Sequence, residues 1–207
     1  MIKNIVFDIG NVVLKFNPKE YFSREYKNLD SIDMLCDLMM ESDIWRSYDL
    51  GDIHLEDVRE AFAKAAPTHQ EEINEMLNHW TDILEPIEYT FNKMKELRCQ
   101  GYSLYLLSNL NEEAYDYILR HYDLFDIVDG YIVSFKERLA KPDFKIYDCL
   151  MNRYQLYKEE CVFIDDLEKN VDAAIRYGMQ GIVFQNEEQV EKELNRILEN
   201  KNVKEKR

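Results

Sequence analysis

Residues 3–11 read KNIVFDIGN, a short apolar run that ends in an acid. Residues 5–7 are apolar and favour a β-strand, as is typical of a strand covered on both faces. Asp8 stands where that run stops, and we expect Gly10 to free the backbone for a turn. Because ligands bind at the carboxyl edge of open α/β sheets, this stretch predicts a sheet with a functional carboxylate at its edge.

Two later apolar runs also end in polar residues. The run YSLYLL is followed by Ser108 and Asn109, a hydroxyl and an amide, and the run CVFI is followed by Asp165 and Asp166. If both runs are strands of one parallel sheet, these four side chains meet Asp8 at the same edge. The sequence therefore predicts a polar site that is built from three strand ends.

The stretch AKPD, which lies between these two runs, offers one cation, Lys141. Pro142 fixes its own φ and biases Lys141 away from the helical region. We therefore expect the lysine to be held in a stiff turn rather than to move freely at the surface. The chain therefore contains, in this order, a carboxylate, a hydroxyl, a lysine and an acid pair.

Helical and strand patterns alternate through the second part of the chain. Strands are expected at 102–107, 130–134, 161–164 and 181–184, with helical patterns between them. Alternation of this kind predicts an α/β fold with a parallel sheet and right-handed crossovers.

The pattern differs in residues 16–84, which show helical periodicity and almost no strand signal. This difference predicts a helical insert in a core that is formed by residues 1–15 and 85–200. Residues 201–207 are polar, and we expect them to form a flexible tail. We expect a loop at residues 50–52, where glycine interrupts the helical pattern.

Composition and charge exclude several classes of function. The chain has 207 residues, of which 46% are hydrophobic and 32% charged, as in globular proteins with a sizeable core. Its net charge of −15 repels polyanions and argues against nucleic acid or an acidic membrane as partner. A phosphorylated small molecule remains compatible, because a divalent cation and one lysine can reverse the potential inside a pocket.

The cysteines and the first residues suggest a cytoplasmic protein. The four cysteines are far apart and lack the spacing of a zinc site or a redox dithiol, which favours structural thiols. No run is long and apolar enough to span a bilayer. The chain enters its first strand without a secretory signal, so we expect a cytoplasmic location.

The acids and Lys141 suit phosphoryl transfer, which needs a nucleophile, charge neutralisation, phosphate donors and a proton source. Asp8 could act as the nucleophile and split ester hydrolysis into two displacements through an aspartyl-phosphate. Asp8 and Asp166 are hard oxygen ligands that suit Mg²⁺. The Ser108 hydroxyl and the Asn109 backbone N–H could hold the phosphoryl oxygens, with Lys141 as a point charge.

At these positions the chain resembles the haloacid dehalogenase-like hydrolase superfamily, close to its subgroup of small sugar-phosphate phosphatases. The segments FDIGN, LSN, KP and IDD are similar to the four motifs of the family, and they occur in the same order. The resemblance covers nearly the whole chain. It implies a Rossmann-like core, an α-helical cap at residues 16–84, a magnesium-dependent phosphatase, and a metal contact from the Gly10 carbonyl.

One position departs from the pattern of the family. Phosphatases of this family usually carry a second aspartate two residues after the nucleophile, where it protonates the leaving oxygen, and this chain has Gly10 there. Loss of such an acid costs roughly 10²–10⁴-fold in rate. Water, the substrate or a cap residue must then supply the proton. A good leaving group, such as the anomeric oxygen of glucose 1-phosphate, needs the acid least.

Several alternatives stay open at this stage. Asp166 is the expected metal ligand and Asp165 a water-mediated or supporting partner, but the reverse assignment also fits. Ser108 and Asn109 could instead cap the helix that follows them. The chain could also be a haloacid dehalogenase, or a non-catalytic protein that binds a phosphate ligand. The sequence leaves the substrate and the oligomeric state open.

Overall fold

The computed structural model describes residues 1–25 and 32–199. The tail expected at residues 201–207 lies outside this part of the chain. Five parallel strands form one sheet in the described residues, and the predicted α/β class is confirmed. The strands are β1 (Asn4–Phe7), β2 (Ser103–Ser108), β3 (Gly130–Val133), β4 (Cys161–Asp165) and β5 (Gln180–Val183).

The sheet has the order β3-β2-β1-β4-β5, so β1 lies at its centre. Ile5 pairs in register with Leu104 of β2 and with Val162 of β4. All four residues of β1 are buried, as expected for a parallel strand that is covered on both faces. The central position brings the end of β1 next to the ends of both β2 and β4.

In the described residues, five helices and a 3₁₀ turn at Trp80–Ile83 lie between β1 and residue 85, and the other helices flank the sheet. The helices of the first group are α1 (Pro18–Glu25), α2 (Ile32–Glu41), α3 (Asp43–Asp49), α4 (Leu55–Ala65) and α5 (Gln70–His79). The others are α6 (Glu88–Cys99), α7 (Glu112–His121), α8 (Ser134–Glu137), α9 (Phe144–Tyr154), α10 (Glu168–Tyr177) and α11 (Glu187–Glu199). A second 3₁₀ turn spans Lys158–Glu160.

The sequence patterns did not predict α3. Its seven residues are too few to establish a helical period. The helix begins after Ser42, whose side chain accepts a hydrogen bond from the Trp45 backbone N–H at 3.1 Å. Trp45 and Tyr48 are buried and fasten α3 to the core.

An aromatic cluster joins the helices after β1 to the sheet. The rings of Trp45 and Trp80 meet edge to face at 5.1 Å, and Phe62 stacks on Trp45 at 6.4 Å. Phe16 meets Trp80 at 6.5 Å. These rings belong to the same buried cluster as Ile5, and a single hydrophobic core therefore extends from the sheet into the helices.

The turn after β1 differs from the sequence-based expectation. Gly10 keeps an ordinary backbone conformation, and Asn11 adopts the left-handed one, with a φ of 53°. Asparagine tolerates this conformation because its short side chain bonds locally. Here its Oδ1 accepts a hydrogen bond from the Phe16 N–H at 2.9 Å. Asn11 therefore makes the turn that we expected Gly10 to make.

Two further observations concern membrane-spanning helices and the cysteines. No helix in the described ranges is long and apolar enough to cross a lipid bilayer. The cysteines are free thiols, and Cys36 and Cys161 are buried.

Packing between β3 and α9 can be tested by Gly130→Ala. A Cβ at this position would lie 2.2 Å from Cε1 of Tyr154, whose hydroxyl is fixed by bonds to the backbone of Tyr131. We expect a loss of about 1–3 kcal/mol in the free energy of unfolding by urea, because the ring cannot move aside without losing these bonds. In a Tyr154→Leu background the same change should cost little. Equal costs in both backgrounds would contradict this explanation.

Candidate active site

The site is organised around a buried lysine at the carboxyl edge of the sheet. The Nζ atom of Lys141 lies 2.7 Å from Oδ1 of Asp8 and 2.6 Å from Oδ2 of Asp165. Only 4% of the Lys141 surface is exposed. Asp8 follows β1 and Asp165 ends β4, so the lysine joins the ends of two neighbouring strands.

The side chain of Asn109 holds the loop that carries this lysine. Its Oδ1 accepts a hydrogen bond from the Lys141 N–H at 2.8 Å, and its Nδ2 donates to the Lys141 carbonyl at 3.1 Å. The peptide between Lys141 and Pro142 is cis. The amide therefore fixes the position of the cation, a role additional to the backbone donor that we expected from Asn109.

The two acids of the predicted pair have different surroundings. Asp165 is fully buried, and both of its oxygens accept hydrogen bonds from the Nδ2 of Asn170, while Oδ1 also accepts one from the Leu167 N–H. Asp166 is only partly buried and accepts one bond, from the Nδ2 of Asn11 at 3.0 Å. With its bond to Lys141, Asp165 has protein donors at both oxygens, and Asp166 retains more capacity for a ligand.

Electrostatics at this edge favour a bound cation. Carboxylate oxygens of Asp8, Asp165 and Asp166 all lie within 4.8 Å of one another, and Lys141 contacts Asp8 and Asp165. Burial, together with the two other acids, raises the pKa of Asp8 to about 7, although Lys141 opposes this shift. Burial also raises the pKa of Asp166. Three clustered carboxylates against one lysine fit a divalent metal that prefers oxygen ligands.

A cavity of about 480 Å³ opens above these residues. Its floor at the sheet edge includes Asp8, Gly10, Ser108, Asn109, Lys141 and Asp166. Other lining residues come from the segment between β1 and β2 and include Phe16, Met39, Met40, Trp45, Arg46 and Asp49. Six of the seven predicted site residues thus line one cavity, and Asp165 lies behind Lys141.

Ser108 is the last residue of β2 and is buried at the cavity floor. The helix that follows is capped by Asn111, whose Oδ1 accepts a hydrogen bond from the Ala114 N–H at 3.0 Å. The alternative in which Ser108 and Asn109 cap this helix is therefore wrong. Both residues remain available to the cavity.

Several residues of this site were not predicted from the sequence. Asn11 and Asn170 each hold one acid of the pair, and Asp49 and Arg46 reach the cavity from α3. Asn11 lay inside a quoted motif, and its polar side chain after a strand end was a usable signal. Asp49 carried no local signal, because only the tertiary packing of α3 brings it to the sheet edge.

Comparisons with known proteins agree with this geometry. A family model described as haloacid dehalogenase-like hydrolase matches residues 2–178. Sesquiterpene phosphatase astK of Aspergillus oryzae is 26% identical over 180 residues, which cover 87% of this chain and 88% of that protein. D-ribitol-5-phosphate phosphatase of Bacteroides thetaiotaomicron is 23% identical over 209 residues, which cover 96% of this chain and 99% of that protein.

A similar fold occurs in a haloacid dehalogenase family enzyme of B. thetaiotaomicron, which was solved in complex with magnesium and inorganic phosphate. The TM-score is 0.69 at 21% identity, and the match covers 89% of this chain and 95% of that one. At this identity the likeness establishes a shared fold, including a helical cap domain.

The ion pairs of Lys141 can be tested through stability. Replacement by methionine, Lys141→Met, leaves buried carboxylates without their cation, so we expect a loss of about 3–5 kcal/mol in the free energy of unfolding by urea. A chelator in the buffer keeps bound cations from masking the loss. The exposed Lys145 gives the control, because Lys145→Met should change stability by less than about 0.5 kcal/mol. Similar values for both variants would contradict a structural role for the buried pairs.

Proposed function

This chain belongs to the haloacid dehalogenase-like hydrolase family, and we propose that it hydrolyses the phosphate monoester of a small organic molecule. One observation carries the proposal. The carboxylate of Asp8 faces a cavity of suitable size while a buried lysine holds it in place. Two further carboxylates lie beside it, in an arrangement that suits phosphoryl chemistry.

Asp8 would act as the nucleophile. Its Oδ1 accepts a hydrogen bond from the Ile9 N–H at 2.7 Å and pairs with Lys141, which leaves Oδ2 free to attack. Attack on phosphorus breaks the ester P–O bond, transfers the phosphoryl group to Asp8 and releases the alcohol. Water then attacks the aspartyl-phosphate and releases inorganic phosphate and the Asp8 carboxylate.

The phosphoryl oxygens need donors while this transfer takes place. We assign this role to the Ser108 hydroxyl, the Asn109 backbone N–H and the charge of Lys141. Ser108 ends β2 and Asn109 follows it, so their donors come from the strand beside β1 and the nucleophile. Lys141 already contacts Asp8 and would also oppose the charge of a phosphate bound there.

Magnesium would be held by Asp8, Asp166 and the carbonyl of Gly10. Asp165 would support it from behind, because its own oxygens are occupied by Lys141 and by hydrogen bonds from the chain. When bound, the ion would neutralise part of the negative charge that the phosphate and the acid cluster bring together. Asn11 keeps Asp166 turned toward the site.

The segment at residues 16–84 would act as a cap that selects the substrate. Its contribution to the cavity wall is partly apolar, with Met39 and Trp45, and partly cationic, with Arg46. A cavity of about 480 Å³ suits a molecule the size of a sugar phosphate, such as glucose 1-phosphate. The two relatives are named for a sesquiterpene and a ribitol phosphate, so phosphate monoesters are the common feature.

A haloacid dehalogenase is the second candidate within the same family. That chemistry displaces halide from carbon and needs no metal, so it gives the Asp165 and Asp166 pair no ion to bind. The acid cluster therefore favours the phosphatase. A non-catalytic role in phosphate binding is the third candidate, because Gly10 replaces the usual acid.

Free thiols fit the expected cytoplasmic location.

Replacement of the nucleophile tests the mechanism directly. Asp8→Asn keeps the size of the side chain but cannot attack phosphorus, so kcat for an aryl phosphate should fall by roughly 10³-fold or more. The circular dichroism spectrum should not change. The control is Asp126→Asn, at an exposed position remote from the cavity. Activity of Asp8→Asn within tenfold of the unmodified protein would rule out this mechanism.

Metal dependence separates the phosphatase from the dehalogenase. A chelator should stop hydrolysis of an aryl phosphate, and added Mg²⁺ should restore it. Asp166→Ala should weaken Mg²⁺ binding by calorimetry and reduce the rate, and Ca²⁺ should replace Mg²⁺ poorly because its coordination shell is larger and looser. Full hydrolysis in excess chelator would contradict the proposed metal site.

A further inference from the structure

The missing acid at Gly10 raises the question of which residue protonates the leaving oxygen. Four of the described residues that line the cavity carry a carboxylate, namely Asp8, Asp43, Asp49 and Asp166. These lining residues include no histidine, cysteine or tyrosine. Asp8 and Asp166 are assigned to the nucleophile and the metal. Asp43 is exposed at the start of α3. Asp49, at the other end of α3, is the remaining carboxylate, while Lys169 lines the cavity from an exposed position.

We propose that Asp49 is the general acid that replaces the missing side chain at Gly10, an inference that rests on the proposed phosphatase function. Asp49 lines the same cavity as Asp8 but is carried by α3, in the segment between β1 and β2, rather than by the sheet edge. We place the leaving group toward α3 and away from Asp8. In-line attack requires that arrangement, because the nucleophile and the leaving oxygen lie on opposite sides of phosphorus.

Core residues fix the Asp49 side chain in position. The Nδ2 of Asn111 donates a hydrogen bond to Oδ1 of Asp49 at 3.0 Å. The orientation of this amide is settled by its other bond, since its Oδ1 accepts from the Ala114 N–H. The Oγ of Ser134 donates to the Asp49 carbonyl. Oδ1 therefore accepts from Asn111, and Oδ2 is left to carry a proton.

The proton affinity of Asp49 suits this role. Burial raises the pKa of Asp49 to about 7, against the hydrogen bond from Asn111, and the charge of Asp8 contributes to the rise. A raised pKa keeps the carboxyl protonated below that value, so the acid is present at and below neutral pH and is lost as the pH rises through it. Charged groups on the surrounding elements include Asp43 and Arg46 in α3, Glu112 and Glu113 in α7, Lys136 and Glu137 in α8, and Lys141 and Asp166 at the sheet edge.

The proton balance follows from this assignment. As the ester P–O bond breaks, the departing oxygen takes the proton from Asp49, and the alcohol leaves neutral. Asp49 is then a carboxylate and can accept a proton from the water that attacks the aspartyl-phosphate. Inorganic phosphate, free Asp8 and protonated Asp49 result, so one water is consumed for each ester.

A comparison of leaving groups tests the role of Asp49. With Mg²⁺ present, Asp49→Asn should reduce kcat for primary alkyl phosphates by roughly 10²–10⁴-fold, and should change kcat for 4-nitrophenyl phosphate only a few-fold. The fall in rate of the unmodified protein above about pH 7 on alkyl phosphates should disappear in the variant. The control Asp126→Asn, at an exposed position remote from the cavity, should leave both rates unchanged.

A rescue variant provides a second test. A Cβ at Gly10 would lie 3.8 Å from the Cβ of Phe16, an ordinary contact, and the backbone there suits any residue. Gly10→Asp combined with Asp49→Asn should therefore recover most of the lost rate on alkyl phosphates. If Asp49→Asn fails to fold, the unmodified protein still decides the question, because an enzyme with an internal acid shows a shallow dependence of rate on leaving-group pKa.

The possible failures can be distinguished. A steep dependence on leaving-group pKa in the unmodified protein, or equal losses on aryl and alkyl phosphates in Asp49→Asn, would overturn the role of Asp49 and leave the phosphatase function in place. Unchanged rates in Asp49→Asn on both substrates would do the same. Absence of turnover of every phosphate ester by the unmodified protein would overturn both proposals.

Discussion

The structure of this site depends on the ion pairs of one buried lysine. The central strand and its neighbour both end in acids, and parallel pairing brings those acids side by side. Two buried carboxylates so close would repel each other strongly without a shared cation. Lys141 supplies that cation, and its own loop is held by the side chain that follows β2. Three strand ends are thus joined through a single lysine residue.

The loops around this centre use amide side chains for the same purpose. Four asparagine side chains hydrogen-bond a group of the site, and some of them also bond a second segment of the chain. These residues are Asn11, Asn109, Asn111 and Asn170. An asparagine can donate and accept at once, so it connects two segments without adding charge. This property matters in a chain whose site already carries an excess of negative charge.

The sequence revealed the parts of the structure that follow from local chemistry. The strands with their terminal acids, the alternation of helices and the order of the motifs were all readable, because each depends on neighbouring residues. The left-handed position was misplaced, since Gly10 is the more permissive residue but Asn11 makes the two bonds that fix the turn. Asp49 was missed because its place at the cavity depends on the packing of α3 against distant segments.

The aromatic cluster around Trp45 and Trp80 limits how this protein can change its preference among substrates. The rings form one core with the central strand, so the helical segment cannot be exchanged as a module without opening that core. Met40 and Arg46 line the cavity from exposed positions outside the cluster. Divergence of specificity is therefore least costly by single substitutions at such positions, which alter the shape and charge of the wall while the packing beneath it is conserved.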